Sequence, residues 1–176
     1  MKKLLLSFHL LFLFPNIVLG EIVEIYSLNN MDDNRGFCID IRGHKSKAKI
    51  NKGLQVHTCY SYQGEIAVDQ GFDTSKLMEN QFHLPAFDVC MEAASVTASA
   101  SLQLSKCRDE QLQKFEWNKE GKINLMDDEN LCLTVAQGES RKGGGGSPVH
   151  LIRNLSMETC NDTLKPFQKW GIRTVE

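Results

Sequence analysis

Six cysteines, at positions 38, 59, 90, 107, 132 and 160, fall into three pairs, and each pair brackets the same short pattern. The first cysteine of each pair lies in an apolar run: Gly36-Phe37-Cys38-Ile39-Asp40-Ile41, Phe87-Asp88-Val89-Cys90-Met91-Glu92-Ala93 and Asn130-Leu131-Cys132-Leu133-Thr134-Val135. The second cysteine closes another: Leu54-Gln55-Val56-His57-Thr58-Cys59, Leu102-Gln103-Leu104-Ser105-Lys106-Cys107 and Leu155-Ser156-Met157-Glu158-Thr159-Cys160. These second runs open with two apolar residues spaced two apart, the period of a half-buried strand. A ring-bearing element follows in each copy: Asn80-Gln81-Phe82-His83-Leu84, Gln113-Lys114-Phe115-Glu116-Trp117 and Gln168-Lys169-Trp170-Gly171-Ile172. Its alternation again sends the bulky residues to one face.

Three copies are too few for a long solenoid and suit a closed, all-β threefold structure, which also removes exposed sheet edges. We place the repeats at about 25–84, 85–121 and 122–172 of a single domain, 21–176. Six cysteines allow many connectivities. Here each copy contributes one cysteine to each of two matching strands, which predicts Cys38–Cys59, Cys90–Cys107 and Cys132–Cys160. Zinc would require closely spaced cysteine pairs, and there are none.

The compartment agrees with a disulfide framework. Lys2 and Lys3 precede an almost wholly apolar stretch, Leu4 to Phe14, then Pro15 and Val18-Leu19-Gly20. This reads as a signal peptide over 1–20, followed by a secreted, extracellular chain beginning at Glu21. Without the leader, 18 basic face 22 acidic residues, a formal charge of −4. That mild excess, with no basic stripe seen, argues against nucleic acid as a partner. No later stretch is long and apolar enough for membrane insertion.

Cys38-Ile39-Asp40, the apolar strands ending in a cysteine, and Gln168-Lys169-Trp170 together resemble the ricin B-type lectin family, with its Cys-x-Asp and Gln-x-Trp repeats. Gln113-Lys114-Phe115 and Asn80-Gln81-Phe82 are near copies of the last motif, and the likeness spans about Ile25 to Ile172. It implies a β-trefoil of three pseudo-symmetric repeats and a glycan, galactose-type in most of the family, as partner. No cofactor or metal is expected.

A sugar offers hydroxyls at its rim and an apolar C–H face, so a site needs acceptors, a flat ring and an orienting amide. On the family's pattern, repeat 1 supplies Asp40 as acceptor, His57 as platform and Gln55 or Asn80 as orienting amides. Asp40→Ala is accordingly expected to abolish binding with little change in thermal midpoint. Repeat 2 offers a possible second site in Glu92 and Gln103, with Ser105 in place of the ring. Repeat 3, with Thr134, Ser156 and Glu158, lacks both acceptor and ring. The long segment Tyr60 to Glu79 of repeat 1 either covers the pocket or extends it through Tyr60 and Tyr62. Gly143 to Ser147 reads as a flexible loop.

Asn161-Asp162-Thr163 and Asn154-Leu155-Ser156 are acceptor sequons for N-glycosylation. No catalytic signature is present, and the carboxylate pairs Asp32-Asp33 and Asp127-Asp128 read as solvated turn residues. The expected function is a non-catalytic secreted lectin. The alternative is a trefoil interaction or inhibitor module that has lost sugar binding.

Overall fold

A computed structural model describes residues 20–175; the leader expected over 1–20 lies outside them apart from Gly20. Twelve strands form three sets of four, and two further strands form an added hairpin. The first set is β1 (Ile22–Ser27), β2 (Phe37–Ile41), β3 (Leu54–Thr58) and β4 (Gly71–Asp73). The second is β5 (His83–Leu84), β6 (Val89–Ala93), β7 (Ala100–Ser105) and β8 (Phe115–Trp117). The third is β9 (Ile123–Leu125), β10 (Asp128–Val135), β13 (Leu155–Thr159) and β14 (Trp170–Arg173), interrupted by the hairpin β11 (Arg141–Lys142) and β12 (Leu151–Arg153).

The central hairpin of each set has one register. Cys38 faces His57 and Asp40 faces Gln55; Cys90 faces Ser105 and Glu92 faces Gln103; Cys132 faces Glu158 and Thr134 faces Ser156. Strand β1 pairs with β4 of its own set and with β14 of the third, which joins the two ends of the chain. This is a β-trefoil. Each repeat carries its own cystine, Cys38–Cys59, Cys90–Cys107 and Cys132–Cys160, as the repeats predict.

Alternate residues of these strands build one core. Phe82 meets Phe115 edge-on, with ring centroids 5.7 Å apart, and Phe72 at 6.3 Å. Trp170 is buried, and its indole N–H donates to the Leu133 carbonyl at 3.0 Å. Each such side chain removed from water contributes about 1.5–3 kcal/mol.

The first repeat differs from the sequence expectation. Three fully buried glutamines stand at equivalent places, and they are Gln70, Gln113 and Gln168. Each amide oxygen accepts from the backbone N–H after the second cysteine: Tyr60 to Gln70 at 3.1 Å, Arg108 to Gln113 at 2.8 Å and Asn161 to Gln168 at 3.3 Å. Each amide nitrogen donates across its hairpin, to Asp40, Glu92 or Thr134. The third element of repeat 1 is therefore Gln70-Gly71-Phe72, and not Asn80-Gln81-Phe82. Phe82 instead lies beside β5 at the opening of repeat 2, so the first repeat closes near Asp73 rather than at 84. Gly71 leaves room for the neighbouring strand, because a Cβ there would stand 2.8 Å from Ile22 Cγ2 and force that side chain to shift.

The hairpin β11–β12 leaves the third repeat and adds to the first. Ile152 pairs with His57 and Arg153 with Val56, so the sheet runs β11-β12-β3-β2-β1-β14. Arg153 is buried; it donates to Asp32 at 2.9 Å, to the Ser140 hydroxyl at 2.8 Å and to the Ala136 carbonyl at 3.0 Å. Asp32 keeps its exposed place in a turn, as expected, but it is also tied to the hairpin through Arg153 and Ser140. Burial alone would raise its pKa, but hydrogen bonds from Arg153 and Ser140 outweigh that and hold it far below the usual carboxylate range. The Gly-rich stretch is likewise the tip of this hairpin, where Gly143 N–H donates to the His150 carbonyl at 2.7 Å.

Candidate functional site

Two adjoining clefts open where the β11–β12 hairpin meets repeat 1. The first, about 440 Å³, is lined by His44, Lys45, His57, Tyr60, Gln63, His150 and the backbone of Gly144 to Gly146. The second, about 340 Å³, shares His57, Gly43 and Gly144 and adds Gln55. His57 and Gln55 come from the same face of β3, two residues apart. His150 is delivered by the hairpin and lies 2.9 Å from the Thr58 hydroxyl through Nδ1.

The rings of His57, Tyr60 and His150 form a triangle. Their centroids lie 5.3 Å (His57–Tyr60), 4.7 Å (His57–His150) and 5.0 Å (Tyr60–His150) apart. His57 Nδ1–H donates to the Thr58 carbonyl at 2.8 Å, which leaves Nε2 as an acceptor. Burial depresses the His57 pKa to about 4, with His150 and Arg35 adding to the fall, so the ring is neutral at physiological pH. Burial and Asp69 push the Tyr60 phenol up to about 12, so it remains a donor. The cleft thus offers a neutral acceptor, a phenol, amides and flat apolar faces.

Of the expected repeat 1 residues, the fold brings Asp40, Gln55 and His57 together; His57 and Gln55 reach the clefts, but Asp40 does not. Asp40 is only 2% exposed and lines neither cleft. Gln55 donates to its Oδ1 at 3.0 Å and Gln70 to its Oδ2 at 3.3 Å. Burial and the nearby Asp69 push its pKa well above the usual range. Asp40 therefore sits behind the amides as their anchor instead of meeting a ligand. Asn80 stands apart, in the turn after the short helix α1 (Thr74–Leu77), where its carbonyl accepts from Phe115 N–H at 2.9 Å. The place in the motif expected of Asn80 is filled by Gln70.

This placement reverses the expectation for Asp40→Ala. Two buried amides would lose their acceptor, a defect of about 1–3 kcal/mol. Because the folded pKa of Asp40 is raised, the wild type loses stability as pH climbs from about 4 towards that pKa, whereas the variant does not. The defect should be largest near pH 4 and smaller near pH 7, as read from urea midpoints. Wild-type midpoints at both pH values would refute this.

Glu92 of repeat 2 is occupied by its own neighbours. Gln103 donates at 3.2 Å, Gln113 at 2.7 Å and Arg108 at 3.4 Å, and the Ser105 hydroxyl also donates to it. Burial would raise its pKa, but the Ser105 and Gln113 bonds prevail and lower it. In repeat 3, Thr134 accepts from Gln168 at 3.0 Å and no carboxylate takes its place. Among the described residues, one group has metal-ligand spacing, Glu24 with Cys38 and Cys59. Its two sulfurs are bonded to each other, and Glu24 takes hydrogen bonds from Tyr60 N, Ser61 N and Arg173, so the donor set does not fit an ion.

Sequence reasoning overlooked Gln70, which was legible as an amide two places before a ring. It also overlooked His150, whose approach to His57 depends on a contact between residues 93 positions apart.

The fold and the cleft define a β-trefoil of the lectin type. The model of the ricin-type beta-trefoil lectin domain matches residues 25–170, and the chain belongs to that family. No curated protein sequence matches the chain. Among solved structures it is similar to the β-trefoil lectin of the Vibrio vulnificus hemolysin/cytolysin with N-acetyl-D-lactosamine bound, at 18% identity and TM-score 0.57, covering 90% of this chain and 97% of that one. It is similar to the C-half of an earthworm R-type lectin in complex with GalNAc, at 16% identity and TM-score 0.56, covering 86% and 96%. A non-toxic homologue of type II ribosome-inactivating proteins (RIPs) from Momordica charantia, in complex with α-methyl-D-galactoside, matches at 12% identity and TM-score 0.60, covering 90% and 50%. This chain spans about half the length of that protein and of the Abrus precatorius agglutinin.

Proposed function

We propose that the chain is a secreted, non-catalytic carbohydrate-binding protein with a single seat, the cleft between repeat 1 and the β11–β12 hairpin. The supporting observation is that His57, at the platform position of the repeat 1 hairpin, keeps a free acceptor nitrogen and an aromatic wall at the cleft. The equivalent places in the other repeats hold Ser105 and Glu158, which hydrogen-bond to their own neighbours. In this reading a sugar lays its C–H face on the rings of His57, Tyr60 and His150. His57 Nε2 accepts from one hydroxyl, and Gln55 and Gln63 orient the rest. The sugars bound by the structural neighbours favour galactose-type ligands. Passage through the secretory route would offer Asn161 and Asn154, both exposed, for N-glycosylation.

A densely printed glycan array, probed with the oxidised chain, tests the reading, since a lone shallow site gains from avidity. His57→Ala should weaken binding about tenfold, the loss expected from one hydrogen bond and a ring contact. Absence of any bound glycan would favour an interaction module, and unchanged affinity in the variant would move the seat elsewhere.

A further inference from the structure

The second cleft differs from the first in its charge. It is lined by Arg42, Lys49, Lys52 and Arg141, and no Asp or Glu lines it. The segment from Arg42 to Lys52 carries five cations and no carboxylate, a local run that the near balance of the whole chain concealed. This corrects the expectation that no basic stripe exists. Among the ion pairs of the described residues, none involves any of these four.

Two of the four are already aimed. The Arg42 Nε donates to the Leu54 carbonyl at 3.2 Å, and Arg141 Nη2 donates to Asn154 Oδ1 at 2.7 Å. Each guanidinium keeps donors unspent, and its planar fork suits a two-oxygen anion. Lys49 and Lys52 line the cleft and stand exposed, as point charges on long stems. Concentrating four like charges around a cavity costs self-repulsion, which an entering anion would relieve.

We propose that this cleft seats an anionic substituent of the glycan, a sulfate ester or a carboxylate, while the sugar ring carrying it occupies the neighbouring cleft. The proposal rests on the sugar-binding reading above. His57, Gly43 and Gly144 line both clefts, so the two adjoin, and the proposal has one residue of an acidic glycan reach across them. The β11–β12 hairpin lines the cavity through Arg141, Gly143, Gly144 and Ile152, so the four cations gather at one pocket, which favours a single anionic group over a nucleic-acid backbone.

The test compares N-acetyllactosamine, its sulfated derivative and its sialylated derivative, with a single-stranded DNA oligonucleotide as a fourth arm, by calorimetry on the oxidised chain. At least one acidic derivative should bind about tenfold more tightly than the neutral sugar, and which one does so separates sulfate from carboxylate. That surplus should shrink as salt rises from about 0.05 M to about 0.5 M, because partly exposed charges are screened. In the triple variant Lys49→Gln, Lys52→Gln, Arg141→Gln the ratio of acidic to neutral affinity should fall towards one. Equal affinity for neutral and acidic sugars would overturn the inference and leave the lectin reading standing. A surplus that survives in the variant, or DNA bound as tightly as the acidic sugar, would also overturn it. No binding of any sugar would remove both.

Discussion

Reduction of the three cystines is expected to unfold the chain at room temperature. They close segments with sequence separations of 21, 17 and 28 residues. In the chain-entropy model each contributes about 3 kcal/mol, or about 10 kcal/mol together. A domain of this size is stable by only about 5–15 kcal/mol, so little remains once the links are gone. The order of loss also follows from burial. Cys38 and Cys59 are both fully buried, whereas Cys107 and Cys160 are partly exposed, so the second and third repeats should open before the first. Fluorescence of Trp117 and Trp170 in excess dithiothreitol, with mass analysis of quenched intermediates, reads both results. A native spectrum from fully reduced protein would sink the expectation.

Acidification from neutrality to about pH 4 should cost about 3 kcal/mol through His57 alone. Burial places its folded pKa at about 4, against about 6.5 for the unfolded chain. Between those values the unfolded state binds the proton that the folded state refuses, so stability falls as pH falls. Each pKa unit is worth about 1.4 kcal/mol, and the side chain is too deeply buried for solvent to discount it much. His150, lowered by burial and by Arg35, acts in the same direction. Asp40 and Asp69, both raised first by burial, act in the opposite direction. A raw pH profile therefore mixes signs, and the clean measurement is the difference between wild type and His57→Gln. That difference should change by about 3 kcal/mol between pH 6.5 and 4, in the sense that the wild type loses more on acidification. Sugar binding should fail over the lower end of the same window, since a protonated Nε2 no longer accepts. Parallel stability profiles for the two proteins would refute the assignment.

Much of this was readable from residue order. The paired cysteines, the hairpin registers they imply and the buried rings Phe115 and Trp170 all follow from short-range alternation, because a strand's neighbours in space are set by a period of two. Repeat 1 misled for a local reason. Asn80-Gln81-Phe82 imitates the amide-to-ring spacing, while the true Gln70-Gly71-Phe72 has a glycine between its amide and its ring. The basic segment Arg42–Lys52 was equally open to inspection, but a net charge summed over the chain averages it away.

Residue order alone settled the threefold repetition, the three cystines and core rings such as Phe115 and Trp170, since these depend on spacing within each repeat. The tertiary structure decided that Asp40 is sealed behind two glutamines, that His150 crosses from the third repeat to complete an aromatic wall, and that Arg141 joins the cations of the first. The reason is distance along the chain: His57 and His150 meet only because β12 pairs with β3. No local pattern encodes a strand pairing across so long a separation.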